Sequence, residues 1–426
     1  IAGPGPASTV TSGCKVENVT MDADYSGGMF GWYFGNGTIK DSSIKNVTFT
    51  AGSSNNGAIG GYGDNSDAVI ENVTIENVQN DDGAPLLEHV ATVDGVHYFS
   101  LAAAIAAANG KTVTVLKHIT LTETVTIPAG KTVTLDLNGK TISQEKACTA
   151  SYEMISNKGS LTITGNGKIS FTDTGAGDPN FKWGSYTIYN TGTLVVENGT
   201  IEHLGAQSFA THCILAIFNY SGSTTILGGT ISTPNYRSVR LWHGSLTIKG
   251  GTLDGQVWVQ TQKGAPAELT IEGGSFGPNG GDGSSVYITN DENTAALSVS
   301  GGYFPTKIGA YDAQAMAGAI TGGVFGESAM KNTNATLISE NLVFVTNEDG
   351  NYILKSTNDG ILDTEAELAA AIAAGGEVKL DADINLVNSL TNSGNVTLNL
   401  NGKTVSLNVA ATKTSALITN NGTLTI

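Results

Sequence analysis

The feature that most constrains this chain is a glycine pair that returns about every 22 residues within an alternating apolar pattern. Successive pairs begin at Gly228, Gly250, Gly273, Gly301 and Gly322, at steps of 22, 23, 28 and 21 residues. Between the pairs stand short runs of the form Leu-Thr-Ile, in which alternation turns the Leu and Ile inward. A repeat of this length with three short strands is one coil of a parallel β-helix. We therefore predict an all-β fold, a right-handed parallel β-helix (β-solenoid), because a single coil cannot offset its own backbone entropy.

A second, longer repeat divides the chain into modules. Residues 135–163 match residues 398–426 without a gap, at an offset of 263 residues. An Ala-rich amphipathic segment of about ten residues precedes each copy and ends near Gly110 or Gly375, and Thr364 forms a capping box with Glu367 in the second copy. A helix laid across the open end of a solenoid covers its core. We therefore predict short α-helical caps at the start of two β-helix modules, residues 91–357 and residues 358–426.

Residues 1–90 carry a different repeat. Segments of the form Glu/Lys-Asn-Val-Thr begin at Glu17, Lys45 and Glu71, at steps of 28 and 26 residues, and glycine-rich runs stand before the last two. This pattern resembles the short GLUG repeat of bacterial surface proteins. It predicts an N-terminal region of GLUG-like β-solenoid repeats.

The middle of the chain carries a second resemblance. Residues 98–142, the Gly-Gly-x-Phe coils that follow and the closing stretch 340–354 resemble the pectate-lyase-like β-helix repeats of large bacterial surface (adhesin-like) proteins, over about three quarters of the chain. The resemblance implies an extracellular location, either secreted or on the cell surface. It does not fix an activity, because this fold hosts lyases, hydrolases, adhesins and inert stalks.

The charge balance argues against several partners. The net charge is −17, so neither a nucleic acid nor an anionic membrane surface is an expected partner. No apolar run reaches the length of a membrane span.

The three cysteines are far apart in the sequence. They fit small buried apolar side chains better than a disulfide framework or a metal site. We expect no resident cofactor, although an acidic surface suits loosely bound calcium.

Length variation is confined to one corner of the predicted coil. The segment after each Gly-Gly-Thr-Ile strand is long at residues 171–185 and 202–212, short at 232–238 and nearly absent at 254–255. Insertions on one edge often mark a binding face. Alternation on the next strand turns a row of aromatic and arginine side chains outward, and aromatic residues in the loops, Tyr236 among them, extend it. The predicted glycan-binding residues are Tyr189, Phe218, Arg237, Arg240, Trp242, Trp258, Tyr287 and Trp183. The alternative is that the loops fold over these rings and bury them as a second small core.

Five asparagines hold the same place in their coils, at Asn157, Asn190, Asn219, Asn290 and Asn420. We predict an internal ladder of stacked amides that bond to the turn backbone, with His243 taking the place of one asparagine.

The sequence is compatible with three functions. The favoured one is an adhesin-like or glycan-binding scaffold without catalysis, whose partners are host or environmental glycans or glycoproteins. The second is a passive structural stalk. The third is a polysaccharide lyase or glycoside hydrolase acting in a groove between residues 171 and 290, for which Arg237 and Arg240 stand near Asp254 and Glu202 in coil order. A hydrolase needs two carboxylates a few Å apart, and the sequence has no repeated pair of Asp or Glu residues on one strand.

The second module stops at Ile426, within the strand that corresponds to residues 161–163. We therefore expect the polypeptide to continue into further β-helix coils of a larger surface protein.

Overall fold

A computed structural model describes residues 10–21, 38–49, 69–71, 74–80, 90–98, 100–175, 184–205, 213–261, 265–277, 283–289, 295–356, 362–407 and 416–426. Within these ranges the regular structure is mostly strand, with three α-helices and two 3-10 turns (Gln314–Met316 and Ala335–Leu337). The longest described helix has ten residues, and none of the described helices is long and apolar enough to cross a bilayer.

The strands follow one another in chain order with short connections. Those before the first helix are β1 (Val10–Ser12), β2 (Lys15–Met21), β3 (Thr38–Lys40), β4 (Ser43–Phe49), β5 (Val69–Glu71), β6 (Thr74–Asn80), β7 (Ala91–Val93) and β8 (Val96–Tyr98). After helix α1 (Leu101–Ala107) come β9 (Lys111–Val115), β10 (Ile119–Thr120), β11 (Val125–Ile127), β12 (Thr132–Asp136), β13 (Thr141–Lys146), β14 (Tyr152–Asn157), β15 (Ser160–Thr164), β16 (Lys168–Asp173), β17 (Gly184–Asn190), β18 (Thr193–Val196), β19 (Thr200–Gly205) and β20 (Cys213–Asn219). The module then continues through β21 (Ser223–Ile226), β22 (Thr230–Leu241), β23 (Gly244–Ile248), β24 (Thr252–Gln260), β25 (Ala267–Ile271), β26 (Ser275–Phe276), β27 (Val286–Thr289), β28 (Ala295–Val299), β29 (Tyr303–Phe304), β30 (Ile308–Ala310), β31 (Val324–Phe325), helix α2 (Glu327–Asn332), β32 (Leu342–Thr346) and β33 (Tyr352–Ser356). Helix α3 (Glu365–Ala374) precedes β34 (Gly376–Lys379), β35 (Ile384–Leu386), β36 (Leu390–Asn392), β37 (Asn395–Asn399), β38 (Val405–Leu407), β39 (Ile418–Asn420) and β40 (Thr423–Thr425).

Each coil contributes one strand to each of three faces. Face A contains β9, β12, β15, β18, β21, β23, β25 and β28, and each strand pairs in parallel with its neighbour in the next coil. Face B begins at β10 and β13 and face C at β11 and β14, and β22 and β24 run through the corner between these two faces. Inward side chains from all three faces form one continuous apolar core. The predicted all-β, right-handed parallel β-helix with helical caps is confirmed.

The glycine pairs form a column at the start of face B. Gly229, Gly251 and Gly274 have φ values of 80°, 85° and 92°, which only glycine adopts readily. Their carbonyls accept hydrogen bonds from Thr252, Ser275 and Tyr303 in the following coils, each at 2.8 Å. The predicted alignment of these glycines is therefore confirmed.

Both predicted cap helices form. Leu101 and Ile105 of α1 are buried in the main core, and Ser100 caps the helix by accepting from the Ala103 N–H. Helix α3 begins with the predicted capping box and ends at Gly375. The far end of the first module is closed by α2 and by the antiparallel hairpin β32–β33, which covers β31.

The N-terminal repeat needs one correction. Strands β2, β4 and β6 stack in parallel, with Asn18 and Asn46 in the left-handed region and joined by an amide hydrogen bond of 2.9 Å. The register pairs Lys45 with Glu76, so the third unit begins at Glu76 and not at Glu71. Glu71 lies on β5 and pairs with Lys40 of β3, in a different sheet. The sequence contains two adjacent Glu-Asn-Val segments, and stacking selects the second one because it places Val78 over Val47.

The second module repeats the local geometry of the first. Asn138 and Asn401 are 263 residues apart, and both have a left-handed φ, of 46° and 49°. Each donates its side-chain amide to a carbonyl of the preceding coil, Val115 in one case and Leu380 in the other. Among the described residues, β34–β40 form sheets of their own, separate from the two large sheets.

Candidate functional site

The variable corner lies between faces B and C, as predicted. Connections at this corner include residues 147–151, 174–183, 206–212 and 277–285, whereas β22 and β24 pass through it without a break. Residues 176–183, 206–212 and 278–282 lie outside the described residues, and Trp183 with them. Face C, which follows the corner, carries the side chains predicted to bind a ligand.

An outward row of large side chains runs along face C from coil to coil. The register aligns Tyr189 with Phe218, Phe218 with Arg240, Arg240 with Trp258, and Trp258 with Tyr287. Trp242 was expected in this row and lies two residues beyond it, because Arg240 is the residue that pairs with Phe218. Alternation predicts that both Arg240 and Trp242 turn outward, and only the register with the preceding coil, which sets Val239 opposite Ile217, decides that Arg240 continues the row.

The rings of the first coils nevertheless meet in one cluster, which we call the aromatic patch: Tyr189, Phe218, Tyr220 and Trp242. The centroids of Tyr189 and Tyr220 are 5.4 Å apart with nearly parallel rings, and Tyr220 lies 6.2 Å from Trp242 at an interplanar angle of 33°. Phe218 is the floor of the patch, 4% exposed, and packs on Tyr186 and Leu215 as a core cluster separate from the main one. Tyr189 and Trp242 are half-buried and Tyr220 is 38% exposed. The base of the aromatic patch is therefore buried, and its rim is partly exposed to solvent.

The two arginines of the chain lie beside the patch, over tryptophan rings. The Arg240 guanidinium carbon is 4.0 Å from the Trp242 ring centroid and 4.5 Å from that of Trp258. Arg237 contacts the same tryptophan, with its guanidinium carbon 3.7 Å from the Trp258 ring centroid. We call Arg237, Arg240, Trp242 and Trp258 the arginine ladder. At these distances both guanidinium groups lie over aromatic ring faces, which is the geometry of a cation–π contact.

The remaining predicted residues fall at the margins. Tyr287 is in register with Trp258, but its ring lies towards Gly309, where an added methyl group would come within 2.9 Å of Cδ2. Tyr236, expected as a wall of the groove, is buried, and its hydroxyl accepts a hydrogen bond of 3.2 Å from Arg237 Nη1. Six of the eight predicted residues thus belong to the aromatic patch or the arginine ladder.

Tyr220 and His243 belong to this site and were not predicted to bind a ligand. Tyr220 directly follows a ladder asparagine, and His243 directly follows Trp242; their ring centroids are 5.7 Å apart. Both sit where face C turns towards face A. An aromatic residue placed just after the ladder asparagine is the signal that sequence reading could have used.

The predicted asparagine ladder is confirmed for the coils that the structure describes. Asn157 donates to Asn190 and Asn190 to Asn219, both at 2.7 Å, and all three side chains are fully buried. In the second module Asn392 donates to Asn420 at 2.8 Å. Asn290 lies outside the described residues. His243 is not a ladder member, because Leu241 is the residue that pairs with Asn219; the His243 backbone carbonyl accepts from the Asn219 amide.

The groups suggested for catalysis are not brought together. Glu202 and Asp254 lie on face B in one outward column with Ser232 between them, two coils apart or about 10 Å. Glu202 is paired with Lys168 at 3.1 Å, and the arginine ladder stands on face C. Among the described residues no cluster of three or more His, Cys, Asp and Glu side chains is arranged to hold a metal ion.

The sequence matches no family model, no curated protein and no solved structure. The fold is therefore established by its own geometry, and a functional assignment has to rest on the site.

Proposed function

We propose that this chain is an extracellular, adhesin-like β-solenoid scaffold that binds glycans on face C without catalysis. The observation that carries the proposal is the row formed by Tyr189, Tyr220 and Trp242, in which Tyr220 is inclined by 27° to Tyr189 and by 33° to Trp242, and in which Tyr220 is exposed and the other two rings are half-buried. Aromatic faces pack well on the C–H faces of sugar rings, and the phenol and indole groups add hydrogen bonds to hydroxyls. The motifs that resemble the repeats of bacterial surface proteins support display outside the cell, where host or environmental glycans and glycoproteins are available.

A passive stalk is the second candidate, and one observation favours it. Tyr186, Leu215 and Phe218 form a core cluster on the outside of the coil, which stiffens face C without any ligand. A stalk needs this cluster but gains nothing from the exposed ring of Tyr220. The lyase or hydrolase alternative has less support, because the arginines and the carboxylates lie on different faces.

The test is a glycan-array screen of the full 426-residue chain, followed by titration of each glycan that binds. Tyr220→Ala should weaken binding about tenfold, the effect of losing one stacked ring. Tyr303→Ala is the matched control, because Tyr303 is 37% exposed, close to the 38% of Tyr220, and lies on face B.

Equal affinities of the wild type and Tyr220→Ala would show that the glycan does not bind at the aromatic patch on face C. A chain that binds no glycan on the array, while its melting temperature shows that it is folded, would leave the stalk as the function.

A further inference from the structure

The arginine ladder is a point of concentrated positive charge on an acidic chain. The chain has 38 Asp and Glu residues against 21 Lys and Arg, and its two arginines stand three positions apart on β22. Arg240 is 8% exposed. Burying a guanidinium is costly unless an opposite charge or a full set of hydrogen bonds compensates.

Neither guanidinium has a carboxylate partner within the described part of the chain. Arg237 donates to Gln256 and contacts the Tyr236 hydroxyl, both at 3.2 Å. Arg240 donates to Gln260 at 2.6 Å and contacts the Cys213 sulfur at 3.8 Å. All four partners are neutral acceptors or weak ones, so the positive charge is held in place but not balanced.

Three buried nitrogens of this cluster also lack a hydrogen-bond partner among the described residues: Arg240 Nε, Trp242 Nε1 and His243 Nε2. The first two are always donors, and His243 Nε2 is a third when that nitrogen carries the proton. Trp258 provides the contrast, since its Nε1 donates to Thr289 at 2.8 Å. Buried donors without an acceptor are rare in folded proteins, and here they are grouped around one cation.

We propose that the face C site is selective for acidic glycans, and that Arg240 and Trp242 bind an oxyanion, a carboxylate or a sulfate, carried on a sugar ring. An oxyanion offers several acceptor positions and a negative charge, which meets both unmet requirements of the cluster. The neighbouring rings of Tyr189 and Tyr220 then take the apolar face of the same or the adjoining sugar. This inference rests on the proposed function and adds the chemical class of the ligand.

The test measures affinities of the full chain for matched neutral and acidic probes. The first set is lactose, 3′-sialyllactose and 3′-sulfated lactose, and the second is cellotriose and the corresponding glucuronate trimer. Each acidic probe should bind with an affinity at least about tenfold higher than that of its neutral parent, because one charge-assisted hydrogen bond contributes that much. The carboxylate and sulfate arms show which oxyanion is preferred. Equal binding of neutral and acidic probes would overturn the acidic preference and keep glycan binding, whereas no binding of any probe or array glycan would overturn both.

Two variants separate ligand recognition from a purely structural ladder. Trp242→Phe keeps an aromatic ring but removes the unpartnered N–H together with part of the indole surface. The lost surface should weaken neutral and acidic probes alike, so the acidic-to-neutral affinity ratio, which should fall several-fold, reports the N–H. Arg240→Gln should abolish the preference. Lys249→Gln is its control, since it removes the same charge from a cation that is paired with Glu272 at 3.1 Å, away from the ladder. An affinity ratio that is unchanged in both Trp242→Phe and Arg240→Gln would show that the ladder only holds the coils together.

Discussion

Inside the solenoid, His203 occupies the inward column that Gln144 and Phe171 fill in the two preceding coils. Its side chain is fully buried, and its Nε2 lies 3.0 Å from the Ser185 hydroxyl. Burial lowers the pKa of His203 to about 4, against an opposing effect of the nearby Asp173 carboxylate, which raises it. The folded state therefore holds this imidazole neutral at pH values where an unfolded chain would protonate it.

This shift makes the stability of the fold depend on pH. Between the ordinary histidine pKa of about 6.5 and the folded value near 4, the unfolded state binds a proton that the folded state does not. The free energy of unfolding should therefore fall as the pH drops through this window, by on the order of 3 kcal/mol, and the loss should stop below it. Urea denaturation at pH 7, 5.5 and 4.5 measures the effect.

His203→Gln is the matched variant, because Gln144 already stands buried in the same column. The substitution removes the imidazole that titrates. The carboxylates are the same in both proteins and titrate in both. The variant should lose less stability than the wild type between pH 7 and 4.5. Identical losses would mean that His203 is protonated without cost in the folded chain.

Single side chains were the part of the site that the sequence predicted least well. Six of the predicted residues do meet on face C, because strand alternation and coil spacing determine which face a residue occupies. Trp242 was misplaced because alternation predicts that both Arg240 and Trp242 turn outward, and only the pairing with Phe218 decides between them. Tyr220 was omitted because it lies in a turn, where the two-residue period of a strand ends. The pairing of His203 with Ser185 joins two different strands, and no local pattern reports it.

The glycine column at the start of face B sets how closely successive coils approach. A Cβ at Gly229 would lie 2.4 Å from the Gly199 carbonyl oxygen, which is backbone and cannot swing away. Gly130 has a similar φ, 77° against 80°, but a Cβ there meets nothing within 4 Å. The two positions therefore share the backbone strain and differ only in the contact between coils.

We expect Gly130→Ala to cost about 1–2 kcal/mol, the strain of a left-handed alanine. Gly229→Ala should cost roughly 1–3 kcal/mol more, because the added methyl group forces two coils apart. Urea denaturation of the two variants measures this difference. Equal costs would show that the coils move apart easily at this corner.

Elements defined by a strict spacing were predicted correctly, and the reason is physical. The glycine column, the asparagine ladder and the capping box at Thr364 each need one residue type at one place in every coil or helix. The third N-terminal unit failed at Glu71 because two similar segments compete there, and only the pairing of Val78 with Val47 decides between them.

Considered as a whole, the coil has its longest connections at the corner between faces B and C. The connections from face C to face A are short in the first coils, at residues 158–159 and 191–192, and longer later, at residues 261–266 and 290–294. The connection between faces B and C at residues 149–151 is exposed, whereas Gly159, between faces C and A, is so close to the previous coil that a Cβ would lie 2.4 Å from the Lys131 carbonyl oxygen. Both positions flank the same strand, β14. They allow the tolerance of the two corners to be compared within a single coil.

A four-residue Gly-Ser insertion between Thr149 and Ala150 should cost less than about 1 kcal/mol, because lengthening a loop adds little closure entropy. The same insertion between Lys158 and Gly159 should cost several times more, since it displaces the hydrogen bond from Ser160 to the Lys131 carbonyl, 2.8 Å long. Melting temperatures of the two insertion variants make the comparison. Similar values would mean that all corners accept added length and that the insertions do not mark a functional edge.

The parallel ladders have a mechanical consequence. Each coil is hydrogen-bonded to the coil before it and the coil after it, and these bonds point along the stack. A pull in that direction loads the ladders of one boundary at a time, so the chain unravels from the loaded end in discrete steps. A coil such as the one between Ile231 and Leu253, 22 residues by register, releases roughly 70 Å of extended chain when it peels away. A protein tethered through such a stack should therefore lengthen under force in steps of this size, and each step dissipates part of a sudden load.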